Sequence, residues 1–196
     1  MTNHNDPKTF QKMYLQRSRD ALVWKLDGLD ERAARLPRTP TGTNLLGLVK
    51  HCANIEVGYL GTIFGREWPT PEELVPLEAY DTEPNADMYA TEHETMAGIL
   101  DLYRRVWAFA DATIDELPLD TIGRVPWWPP ERAEATLERI IMHTLTDIAR
   151  HAGQADILRE QIDGAVGLGP TNSNVPDDVD WPSYVAKLTT LAERAG

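Results

Sequence analysis

Three residues could do chemistry together. Asp147 and His151 lie four apart in LERIIMHTLTDIARHAGQADILREQIDG, and His51 lies in LLGLVKHCANIEVGYLG. Four residues of helix turn by about 40° and rise about 6 Å, so Asp147 and His151 project from one face. A carboxylate and an imidazole at that spacing, joined by a histidine from a neighbouring helix, make a three-ligand set for a metal ion. Three protein ligands leave coordination positions open, the catalytic rather than the structural arrangement. D-x-x-x-H is a common pattern, and spacing alone favours a half-buried hydrogen-bonded pair inside one helix.

Four long amphipathic segments must position these residues. The first spans about Lys8 to Arg35 and is closed by Pro37 and Pro40. The second runs from about Thr43 to Phe64 and stops at Gly65; it carries His51. The third starts at Thr91, with Thr91 and Glu94 as a capping box, and continues towards Leu117. The fourth runs from about Arg132 to Asp163 with Gly164 as its stop, and carries Asp147 and His151. A short last helix is expected from about Trp181 to Arg194. Few segments alternate with period two, so strands are poorly supported. The pattern predicts an all-α four-helix bundle with a long connection, rich in proline and acid, between the second and third helices. It reads as one domain, 1–196, with the bundle over about 8–164 and a C-terminal extension over 165–196.

On the fourth helix the apolar stripe is Leu137, Ile141, Leu145, Ile148, Ala152, Ala155 and Ile162. His151 falls about 40° from its centre, Asp147 about 80° and His143 about 120°. A site using His143 with Asp147 is an alternative, although His143 and His151 stand about 12 Å apart along the axis and cannot share an ion. Glu56 falls within the apolar stripe of the second helix, as a partner that orients a ligand histidine or as the partner of an arginine from the first or fourth helix. Gln154, three residues after His151, could reach the same cavity. Trp127 and Trp128, in GRVPWWPP, line a pocket mouth or cap the core. Cys52 reads as a small core residue rather than a nucleophile. His4 and His93 do not read as functional.

Composition excludes several classes of function. The 196 residues carry 19 basic and 31 acidic side chains, a net charge of -12. Nucleic-acid phosphates and anionic membranes both call for a cationic surface, so neither is an expected partner. One cysteine permits no intramolecular disulfide, the opening MTNHNDPKTFQKMYLQRSRD is polar and unlike a signal peptide, and no apolar run is long enough to span a bilayer; a cytoplasmic location is expected.

The stretches TGTNLLGLVKHCANIEVGYLGTIFGRE (Thr41 to Glu67), GRVPWWPPERAEATLERI (Gly123 to Ile140) and MHTLTDIARHAGQADILREQIDG (Met142 to Gly164) resemble, in order and spacing, the DinB-like superfamily. The resemblance is greater to its mini-circle-protein-like actinobacterial branch, related to mycothiol-dependent maleylpyruvate isomerase. It implies a four-helix bundle, often dimeric, with a divalent metal held at His51, Asp147 and His151. The ion implied is zinc, with nickel or manganese as alternatives. It also implies a small-molecule substrate, mycothiol as co-substrate and thiol S-transfer as the activity. A different class, a non-catalytic dimeric binding or stress-response bundle with a vestigial site, is the competing expectation. The superfamily's name points to DNA damage, but the charge argues against DNA binding. Asp147 stands where the nearest relatives carry Glu, and Gln154 where many carry a second histidine. Asp is shorter by about 1.5 Å, one C–C bond, so the ion is expected nearer the fourth helix or reached through water.

Overall fold

Short polar side chains start the helices, and they do so where the chain turns. In the computed structural model, which describes residues 6–195, α1 (Pro7–Trp24) opens with Asp6 accepting from the Thr9 amide. The sequence reading carries this helix on to Arg35, but it ends at Trp24. Gly28 takes a left-handed φ of 74°, and Asp30 then caps a separate short helix, α2 (Glu31–Arg35), by accepting from the Ala33 amide.

Helix α3 (Leu45–Leu60) is capped by Asn44 and followed by a single 3₁₀ turn, Thr62–Phe64, that closes on left-handed Gly65. A long connection with two further 3₁₀ turns, Pro71–Glu73 and Leu77–Asp81, leads to α4 (Met96–Glu116). That helix starts later than the capping-box motif predicts. Thr91 and Glu94 do pair, the Thr91 amide donating to Glu94 Oε2 at 2.6 Å, but they close a turn before the helix, and Thr95 is the cap.

The all-α bundle also carries one small ribbon. Strands β1 (Ile122–Arg124) and β2 (Glu134–Thr136) pair antiparallel, with Gly123 opposite Ala135. Three residues per strand are too few for an alternating pattern to register. Their ribbon delays the last bundle helix, so α5 (Leu137–Asp163) begins after Arg132, with Thr136 as its cap and Gly164 (φ 78°) as its left-handed stop. Helix α6 (Trp181–Glu193) follows a 17-residue connection, 164–180, and buries none of its own residues.

Helix α3 packs against α4 and α5, and α1 packs against α5 and α4, which closes the four-helix bundle. Its core includes Leu15 and Leu22 of α1, Leu48 and Val49 of α3, Tyr103 and Val106 of α4, and Ile141 and Ile148 of α5, all fully buried. One buried polar network is centred on Glu56, whereas Thr144 Oγ1 and Gln11 Oε1 are buried without a partner. Glu56 pairs with Arg19 of α1, whose Nε lies 3.0 Å from Glu56 Oε2; Tyr103 donates to Glu56 Oε1 at 2.7 Å, and Arg19 also reaches Asp111 at 2.9 Å. Of the two readings open for Glu56, an arginine of the first helix is the one observed. Arg159 of α5 donates to the carbonyls of Lys25 and Asp27, supplying acceptors left over at the end of α1 with a cation. Buried Lys25 reaches Asp156 at 2.8 Å and the Gly167 carbonyl. No described helix is long and apolar enough to cross a membrane.

Candidate metal centre

Two pairs of rings set the relation of α3 and α5. The His51 and His151 centroids are 4.7 Å apart, and those of Tyr59 and His143 are 4.8 Å apart. Ascending order on one helix matches descending order on the other, so the helices run antiparallel. This brings His51 opposite the His151–Asp147 face. One ligand atom from each of His51, Asp147 and His151 lies within 4.8 Å of the others.

Asp147 Oδ2 stands 3.7 Å from His51 Nε2 and 3.6 Å from His151 Nε2. Both separations are too long for hydrogen bonds. They are close to the spacing of two ligands on one tetrahedral ion, about 3.3 Å for bonds of 2.0–2.1 Å. The other ring nitrogens are engaged: His51 Nδ1 meets Asp87 Oδ2 at 2.7 Å, and His151 Nδ1 meets Gln154 Oε1 at 2.8 Å. An acceptor on Nδ1 holds a proton there and aims Nε2 at the shared point, where a bound metal would take the place of any Nε2 proton. The donor set and the orientation of both rings therefore fit a divalent metal. Despite the shorter side chain, Asp147 Oδ2 stands within 3.7 Å of both Nε2 atoms.

Charge is balanced locally. Burial works against a proton on His51, but the carboxylates of Asp147 and Asp87 outweigh it and raise the imidazole to about 9. Burial lowers His151, and its neighbour His51 adds to that; the Gln154 contact acts in the other direction. Burial penalises the charge of Asp147, yet His51 and His151 hold it below the usual aspartate value.

Asp87 is the participant that sequence reasoning misses. It sits in the long connection, and no spacing rule relates it to His51. It is placed by a close backbone approach: a Cβ on Gly47 would fall 1.8 Å from the Met88 carbonyl oxygen. Asn44 Nδ2 donates to the same carbonyl at 3.0 Å. The one sequence signal is a glycine in the first turn of an otherwise well-formed helix, which marks close approach of another backbone.

The remaining candidates fall elsewhere. Among the described residues the ligating group does not include His143, which stands edge-on to Tyr59 and Trp128 instead. Gln154 does reach the site, through His151. Cys52 is fully buried, and burial pushes its thiol well above the usual value, so it is a core residue and no nucleophile. His93 is exposed beside Glu92, and His4 lies outside the described residues.

A cavity of about 710 Å³ opens over the site. His51 and His151 line it, as do Leu74, Leu77 and Met88 from the long connection and Trp127 from the ribbon loop. Trp127 thus faces a pocket, while Trp128 packs on the core side. Both indole nitrogens donate to the Tyr59 hydroxyl, at 3.0 and 3.1 Å.

The sequence matches the family model described as mycothiol-S-transferase over residues 11–164. No curated protein matches it. Among solved structures, the fold is similar to that of a conserved protein from Enterococcus faecalis, with a TM-score of 0.55 at 16% identity, covering 80% of this chain and 96% of the other. At that identity the likeness speaks to the fold, which is all-α with one small two-stranded ribbon.

Proposed function

Because the chain belongs to the mycothiol-S-transferase family, a DinB-like family, we propose that it is a metal-dependent thiol S-transferase in which His51, Asp147 and His151 hold one divalent ion. The observation that carries this is the pairing of two engaged Nδ1 atoms with two Nε2 atoms that converge on Asp147. Zinc suits two imidazoles and a carboxylate, and nickel or manganese are the alternatives. Metal coordination would hold a low-molecular-weight thiol such as mycothiol, whose free pKa is about 8.5, as the nucleophilic thiolate at neutral pH.

The chain's own groups supply orientation and seclusion. Asp87 and Gln154 lock the two imidazoles in one tautomer and one ring orientation. The apolar walls of the cavity keep water from the reacting sulfur, and a carbon electrophile can lie beside it. His51, Asp147 and His151 are ligands in this reading and carry no proton during turnover. The protein acts on small molecules, as a homodimer in the cytoplasm, and not on nucleic acid.

Elemental mass spectrometry of untagged protein, beside His151→Ala and Asp147→Ala, tests the site. Near-stoichiometric metal that both substitutions remove, with helical content unchanged, is expected. Metal retained in Asp147→Ala but lost in His151→Ala would remove the carboxylate from the ligand set. No metal after reconstitution would overturn the proposal in favour of a non-catalytic bundle.

A further inference from the structure

The cavity also carries information about what receives the thiol. We propose that the acceptor substrate is an uncharged, largely apolar molecule spanning the cavity from His51 and His151 to Tyr59 and Trp127, and not a carboxylic acid. This rests on the S-transferase reading above.

Among the described residues, no lysine or arginine lines the cavity. Cations close by in sequence or space are turned elsewhere. Lys50, next to His51, reaches the Tyr89 carbonyl at 3.1 Å and Glu94 at 2.9 Å. Arg105 forks onto Glu73, and Arg139 lies over the Trp128 ring. The carboxylate that lines the cavity is Asp87, beside His51 and His151, and Asp147 stands 3.7 Å from His51 Nε2.

Polar side chains in the wall are largely engaged with the protein. Asn54 donates to the Lys50 carbonyl at 2.9 Å and accepts from the Val75 amide at 2.8 Å. Asp87 is held by His51. The Tyr59 oxygen accepts from both Trp127 and Trp128, which uses both of its lone pairs. Its own O–H is left as a donor at the aromatic end, suited to a carbonyl or ether oxygen. Tyr59 follows His51 by two helical turns and more, about 12 Å along the axis. A ligand carboxylate at the aromatic end, beyond the reach of a metal held by His51, Asp147 and His151, would surrender its water and find no lysine or arginine, whereas an apolar body would meet Ile55, Leu74, Leu77 and Met88.

A pair of conjugated ketones tests this: 4-phenyl-3-buten-2-one and its para-carboxylate. With mycothiol, the sulfur–carbon bond forms at the β-carbon as the C=C π bond breaks, and the proton given up by the thiol ends on the α-carbon. No further reactant is needed. Binding of each ketone to zinc-treated protein, without thiol, is measured by calorimetry, and turnover with mycothiol is measured separately above the uncatalysed rate. The neutral ketone should bind at least about tenfold more tightly, a difference of about 1.4 kcal/mol. Leu77→Arg, at an exposed rim position, should bring the two to within about threefold by supplying the missing cation. Equal or tighter binding of the carboxylate by the unaltered protein would overturn the proposal. Absence of turnover and of bound metal would overturn the S-transferase reading instead, and the binding comparison would still decide the character of the cavity.

Discussion

Two polar clusters hang from α3, one built on Glu56 and the other on His51, and they differ in whether they are closed. Arg19 and Glu56 are fully buried, and each is engaged by protein partners: Glu56 by Arg19 and Tyr103, Arg19 by Glu56, Asp111 and Gln16. Nothing is left over for a ligand. At the other cluster the side chains of His51, Asp147 and His151 are 21%, 32% and 12% exposed. Their outer nitrogens are tied down while the inner atoms converge without bonding one another. A buried carboxylate within a bundle is therefore no sign of a site in itself. The sign is a set of lone pairs fixed in direction by partners behind them and directed at one point.

The largest expected effect breaks the closed cluster. Arg19→Ala leaves Glu56 charged and buried without its counter-ion, and should cost about 3–5 kcal/mol in denaturant unfolding. The double substitution Arg19→Met with Glu56→Leu should recover most of that loss, since apolar residues of similar volume often replace a buried ion pair without penalty. No such exchange should restore the open cluster, whose value is in binding. If the double variant were as unstable as the single, the Arg19 network would be doing more than filling its own space.

Gly47→Ala joins the two concerns. Its methyl would strike the Met88 carbonyl, with an overpacking cost of about 1–3 kcal/mol, and should shift Asp87 off His51. Unfolding and metal titration on the same variant should show both losses. Lost stability with unchanged metal affinity would mean that Asp87 adjusts independently of Met88. Asp87→Asn should leave stability nearly unchanged and weaken metal binding about 10–100-fold, the usual effect of removing a ligand's outer partner. Competition with a chromophoric chelator measures it. Unchanged affinity would reduce Asp87 to a bystander.

The smallest effect concerns a third kind of pair, open to water. Arg105 holds the Glu73 carboxyl at about 2, below the unfolded value of about 4.3. A depressed carboxylate stabilises above its unfolded pKa, so this contribution is complete above about pH 4.3 and fades as pH falls towards 2. Glu73→Gln should cost only about 0.2–1 kcal/mol at neutral pH, and less in high salt. Thermal unfolding of both proteins across pH 2–6 should converge at the acidic end.

These contrasts also explain how far the sequence could be read. His51, Asp147 and His151 were accessible because helical periodicity places them on the edges of apolar stripes, and antiparallel packing of α3 on α5 does the rest. The four bundle helices were accessible for the same reason. Asp87 was not, because its position depends on where one carbonyl lands against Gly47, a tertiary fact with a single glycine as its trace. The end of α1 at Trp24 depends on Gly28 and Asp30, which a periodicity that continues into Ala33 and Ala34 conceals. The β1–β2 ribbon is too short to announce itself. Glu56 shows the opposite limit: its type and position suited a site, and only the arrival of Arg19 from α1 identifies it as part of the scaffold.

Lys25 fastens the Gly167 carbonyl just beyond the end of α5, and α6 then buries no residue of its own. Mechanically, that bond is a mooring. Tension applied beyond α6, by a fused partner or a tether, would first load the Lys25–Gly167 link and the end of α1, and only afterwards the turns of α5 that carry Asp147 and His151. The segment after Gly167 is accordingly the place to attach a label, a surface linker or a second protein with the least disturbance to the cavity.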